Sequence, residues 1–147
     1  MTRAERLRAY CSSVDGRPVT WGCDDCSTWA LQWVVDETGR EVDWPRYDTR
    51  DEAMAKIDEA GGLLPLWDAM AAKLGLPEFI GLHGFPLVAP PLGSVGIIET
   101  SHHGQIGVIF ADALVGCARM DVLEGEGPGV RMIGLRPRTI VKVWTLE

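Results

Sequence analysis

The chain has 147 residues, 46% of them hydrophobic and 24% charged, with a net charge of −7. A chain of that length buries enough surface to fold without a metal or disulfide staple, so we expect one domain over residues 1–147. The acidic balance argues against a nucleic-acid backbone as the main partner, and no apolar run is long enough for membrane insertion.

Thr2 and Glu5 form a capping box for a helix over residues 3–12, with Leu7 and Tyr10 facing inward. Asp15-Gly16-Arg17-Pro18 reads as a turn. Asp24 or Asp25 caps a second helix, whose apolar positions Cys26, Trp29, Ala30, Trp33 and Val34 follow helical spacing; Gly39 ends it. Thr49 with Glu52 is another capping box, and the third helix carries Ala53, Met54, Ile57 and Ala60 on one face before stopping at Gly61-Gly62. Leu64 to Leu74 reads as a fourth helix, closed by Gly75. Two arginine groups, Arg3, Arg6 and Arg8 on the first helix and Arg131, Arg136 and Arg138 near the end, read as solvated faces.

After residue 77 the pattern changes to short β-branched runs punctuated by Gly and Pro. The strand candidates are Val95 to Ile98, Gln105 to Phe110, Ala113 to Ala118, Val130 to Ile133 and Ile140 to Trp144. Short connections favour antiparallel pairing, and helices followed by strands is the α+β pattern. We therefore expect N-terminal helices packed on an antiparallel sheet of about five strands. The Pro-rich stretch Pro86 to Pro91 reads as a loop within the domain.

Four cysteines are present: Cys11, Cys23, Cys26 and Cys117. The N-terminal segment has neither an apolar stretch nor a small-residue cleavage site, so the expectation is synthesis in the cytoplasm, where structural disulfides are disfavoured. Cys23 and Cys26 make a C-x-x-C, the spacing of a redox pair or half a zinc site, but a second close pair of cysteines or histidines is absent. No metal or other cofactor is assigned, and metal or redox use of this pair stands as a lesser alternative. Cys26 itself belongs in the first turn of the second helix, where unpaired N–H groups and the helix dipole favour a thiolate. Asp24 and Asp25 cap that helix and also repel a thiolate close by. Trp21, before Gly22 and next to this site, either lines a substrate groove or packs over the helix start.

A cysteine-bearing helix followed by an antiparallel sheet resembles the divergent NlpC-type cell-wall peptidases of the papain-like fold. The chain is most similar to their small members from phages, prophages and gene transfer agents. The resemblance rests on Trp21-Gly22 with Asp25-Cys26, Thr38-Gly39, Arg46-Tyr47-Asp48-Thr49, Gly93-Ser94-Val95, Gly107-Val108 and Trp144, in that order. It implies that Cys26 is the nucleophile. The family's base histidine lies two residues before a glycine, which here is Gln105, and the third, orienting position falls on Cys117. Glutamine cannot take a proton from a thiol. His102 and His103 precede it, and strand alternation favours His103 as a substitute base, displaced roughly 6–7 Å along the strand. Trp21 and Asp25 are the substrate-binding candidates.

The resemblance implies a peptidoglycan peptidase-like protein of a phage-like tail tip, cutting cell-wall peptide stems and bound to hub or baseplate proteins. The alternative is a tail-tip plug with the same fold and lost catalysis. Such a protein is carried to the target envelope by the particle. The apolar, Pro-rich loop around Phe85 to Leu92 is the expected contact with the hub.

Overall fold

A computed structural model of the chain describes residues 1–121 and 125–147. Among these, four helices come first: α1 (Arg3–Ser12), α2 (Cys26–Thr38), α3 (Arg50–Glu59) and α4 (Leu63–Leu74). Five strands follow: β1 (Val95–Thr100), β2 (Gly104–Phe110), β3 (Val115–Met120), β4 (Gly129–Gly134) and β5 (Ile140–Trp144). They form one antiparallel sheet in the order β4-β3-β2-β1-β5, so the expected α+β architecture is the one the chain adopts. No helix among the described residues is long and apolar enough to cross a membrane.

The caps sit where the side-chain chemistry puts them. Thr2 Oγ1 accepts from the Glu5 N–H at 3.1 Å, and Thr49 Oγ1 accepts from the Glu52 N–H at 3.2 Å. The Glu52 carboxylate in turn accepts from the Asp48 N–H at 3.0 Å, which fixes the chain's entry into α3.

The sheet has two covered faces. On one, Val95, Ile97, Ile109, Cys117 and Trp144 pack against Trp29, Trp33 and Val34 of α2 and Trp67 and Leu74 of α4. On the other, Ile98, Val108, Phe110, Ala118 and Val143 lie under Phe79, Leu82 and Leu135. The alternation along β2 therefore places Gln105, Gly107 and Ile109 toward α2, and Ile106, Val108 and Phe110 away from it.

Two expectations need correction. The third strand begins at Val115, not Ala113, because Ala113 and Leu114 both adopt φ 58° and make the turn from β2. Left-handed backbone at two non-glycine residues carries no sequence signal. The arginines of α1 are also not simply solvated. Arg3 Nε and Arg6 Nε reach Glu37 on α2 at 3.0 and 2.7 Å, and the Glu37 side chain is only 5% exposed. The Arg6 guanidinium, with Arg3, holds the Glu37 carboxyl below its ordinary pKa.

Candidate functional site around Cys26

The first turn of α2 is built on Asp25. Its carboxylate accepts from the N–H groups of Ser27 and Thr28, both at 3.2 Å, which satisfies two of the helix's orphan donors. It also accepts from the Gly22 N–H at 2.9 Å and from the Tyr47 hydroxyl at 2.8 Å. The Trp44 indole in turn donates to the Tyr47 oxygen at 3.0 Å. A buried carboxylate is costly unless hydrogen-bonded, and these four donors are what offset its burial.

Two glycines let the surrounding chain close on this turn. Gly22 has φ +86°, and a Cβ there would overlap the Tyr47 carbonyl oxygen. Gly107 on β2 lies under the Trp67 ring, which a Cβ would overlap, and such a Cβ would lie 3.3 Å from the Cys26 carbonyl oxygen. The glycine is what allows β2 to approach the start of α2. Trp67 then donates its indole N–H to Ser27 Oγ at 3.0 Å, tying α4 to the same turn.

Cys26 is the first residue of α2, as expected. Its sulfur is 4.0 Å from Ser27 Oγ. Burial raises its thiol above the ordinary cysteine pKa, and the charge of Asp25 adds to this. The Gly107 N–H and Ser27 pull the other way without overcoming burial. The net shift favours the thiol over the thiolate in the resting protein.

A cavity of about 330 Å³ opens beside this residue. Trp21, Asp25, Cys26, His103 and Gln105 all border it, so five of the residues singled out in the sequence share one space. Gln105 lies two residues before Gly107 on the face toward α2, but its amide is committed: Nε2 donates to Glu99 Oε1 at 2.8 Å across the β1–β2 pair. His103 is exposed in the β1–β2 turn, where its backbone N–H donates to Thr100 Oγ1 at 2.9 Å. No hydrogen bond joins its imidazole to Cys26 among the described residues.

Cys117 is not brought to the cavity. It lies buried on β3, its thiol donating to Met132 Sδ at 3.4 Å and packed beside Cys11. Cys23 is exposed, and among the described residues no group of three His, Cys, Asp or Glu side chains is placed to hold a metal. His83 borders a separate depression of about 360 Å³ together with Phe79, Leu82 and Lys142.

Two residues of the site carry no sequence signal of their role. Tyr47 reaches Asp25 from 22 positions away. Arg119, on β3 with its side chain 0% exposed, pairs with Asp24 at 3.2 Å and donates to the carbonyls of Arg17, Pro18 and Gly129 at 2.7, 3.3 and 3.2 Å. It thereby pins the segment leading to Cys26 onto the sheet. A buried arginine holding a loop by its carbonyls looks, in sequence, like any charged residue in a strand.

Residues 1–144 match the family described as a domain of unknown function (DUF6950). No curated protein matches the chain.

Proposed function

From the premise that the chain belongs to the DUF6950 family, we propose that it is a peptidase-like protein of the NlpC type and papain-like fold, a cysteine hydrolase of cell-wall peptide stems carried at a phage-like tail tip. The observation that supports this reading most is Cys26, held at the start of α2 by Asp25 and opening on a cavity that His103 also borders. In the reaction, Cys26 Sγ bonds to the amide carbonyl carbon while its proton passes to the His103 imidazole. The oxyanion forms beside the Cys26 backbone N–H and a neighbouring donor, since Asp25 already holds the N–H groups of Ser27 and Thr28. The imidazole then protonates the leaving amine, and water hydrolyses the thioester. A turn of the exposed His103 side chain toward Cys26 is required for the first step.

A second reading, a tail-tip plug with the fold retained and catalysis lost, draws support from the Gln105–Glu99 bond at the family's base position and from the raised thiol of Cys26. In either case the exposed loop carrying Phe85, Leu87 and Val88 is the surface for a hub or baseplate partner.

The test uses isolated peptidoglycan stem peptides and purified particles. Cleavage by the wild-type chain, absent in Cys26→Ala and in His103→Ala, is the result expected of the hydrolase. Intact stems with the wild-type chain, together with normal infection by Cys26→Ala particles, establish the plug. Absence of the protein from particles by mass spectrometry overturns both.

A further inference from the structure

Cys11 and Cys117 take no part in the Cys26 cavity and form a cluster of their own. On β3, Cys117 stands directly opposite Met132 of β4. The Leu135 N–H donates to the Leu114 carbonyl at 2.8 Å, so hydrogen-bonded pairs alternate from there and the Cys117–Met132 pair falls between them. Facing side chains come closest at such a position, and the two sulfurs are 3.4 Å apart. From the last turn of α1, which packs on β4, Cys11 brings a third sulfur into hydrogen-bond reach of Cys117. Buried sulfur is ordinarily inert filling. Here the Cys11 S–H supports the Cys117 thiolate and keeps that thiol below the ordinary cysteine value despite its burial. The cluster is also reachable: Cys117 lies at its base, Cys11 is half-buried, and Met132 at the mouth is 56% exposed. No His, Asp or Glu completes a set of three ligands with the thiols among the described residues, so the donors are sulfur alone.

We infer that Cys11, Cys117 and Met132 form a binding site for a soft monovalent cation of the Cu(I) class. Thiolate and thioether ligands select Cu(I), whereas structural zinc takes sets of four drawn from Cys, His and carboxylate. The cation bonds to Cys11 Sγ, Cys117 Sγ and Met132 Sδ, and each thiol that ligates gives up its proton to solvent. Bound there, it ties the end of α1 to β3 and β4. The site is separate from Cys26 and does not depend on the peptidase-like reading.

The test uses the full chain carrying Cys23→Ser and Cys26→Ser, which removes the other thiols. The reduced protein is titrated anaerobically with Cu(I) in competition with bicinchoninate, and the ligand shell of the bound metal is read by X-ray absorption. One equivalent of Cu(I), held in a shell of three sulfurs, is the expected result. Adding Met132→Leu, at a largely exposed side chain, leaves the fold intact by circular dichroism. It weakens binding about tenfold or more and leaves only the two thiol sulfurs in the shell. Adding Cys11→Ser, at the half-buried end of the cluster, weakens binding more than about a hundredfold. Failure to withdraw Cu(I) from bicinchoninate, nitrogen or oxygen ligands in the shell, or an affinity unchanged by either substitution overturns the inference.

Discussion

The turn around Cys26 and the loop before β1 are opposites. At Cys26, each carboxylate oxygen of Asp25 has donors, the backbone of Gly22 touches that of Tyr47, and Trp67 is bonded to Ser27. In the loop, Phe85 is 103% exposed, Val88 53% and Leu87 43%, so large apolar groups stand in water. Both regions are costly for a free chain, the first in buried charge and the second in exposed hydrocarbon. They meet the cost differently. The first is satisfied from within the fold. The second has no covering element among the described residues, and that exposed hydrocarbon is what supports the proposal of a partner there.

The sharpest break of this contrast is Asp25→Ala. It strands three backbone donors and a buried tyrosine hydroxyl and should destabilise by about 3–5 kcal/mol, measured by urea unfolding. A loss under 1 kcal/mol, in the range of surface changes, would mean the network is not what holds the turn. Gly107→Ala comes next. Its methyl meets Trp67, and overpacking of this kind costs about 1–3 kcal/mol. Tyr47→Phe removes one bond to a buried carboxylate and should cost about 1.5 kcal/mol.

Alkylation by iodoacetamide sharpens the same picture. Because burial raises the Cys26 thiol, its thiolate fraction stays below that of a free cysteine at every pH up to its own pKa. Its alkylation should therefore lag behind that of exposed Cys23 at pH 8 and catch up only in stronger alkali, as read by peptide fragmentation. For stability the sign is the same. The raised thiol contributes fully below the unfolded cysteine pKa, and that contribution is lost as pH rises through the folded value. Equal rates at pH 8 would show a thiolate activated in the resting protein.

The smallest effect belongs to the other region. Phe85→Ser should change stability by less than about 0.5 kcal/mol while weakening capture by tail particles. A large loss of stability would show that Phe85 packs inside the fold.

What was legible in the sequence was local. Thr2 with Glu5, Thr49 with Glu52, and Asp25 before an apolar helix each reach only two or three residues along the chain, so spacing alone reveals them. The two faces of β2 follow from alternation, and with them the direction of Gln105. The long-range partners were hidden. Nothing near Tyr47 shows that it bonds Asp25, and nothing near Arg119 shows that it holds the carbonyls of Arg17 and Pro18 about a hundred residues earlier. Glu37 hid the role of Arg3 and Arg6 in the same way. Cys117 matched a family position by order along the chain, yet that strand turns the thiol toward Met132 and the core.

The order of strands in the sheet bears on how the protein is made. β5 pairs with β1, Val95 opposite Trp144, so the first strand synthesised waits for the last before its outer edge is covered. Trp144 also packs on Trp67 at 5.8 Å between ring centroids, so α4 waits with it. Contacts this far apart in sequence close late and slow folding. Until residues 140–144 leave the ribosome, β1 presents an open edge rich in valine and isoleucine, the kind of template on which nascent chains pair with one another. Late closure of the β1 edge is the natural consequence of pairing β5 with β1.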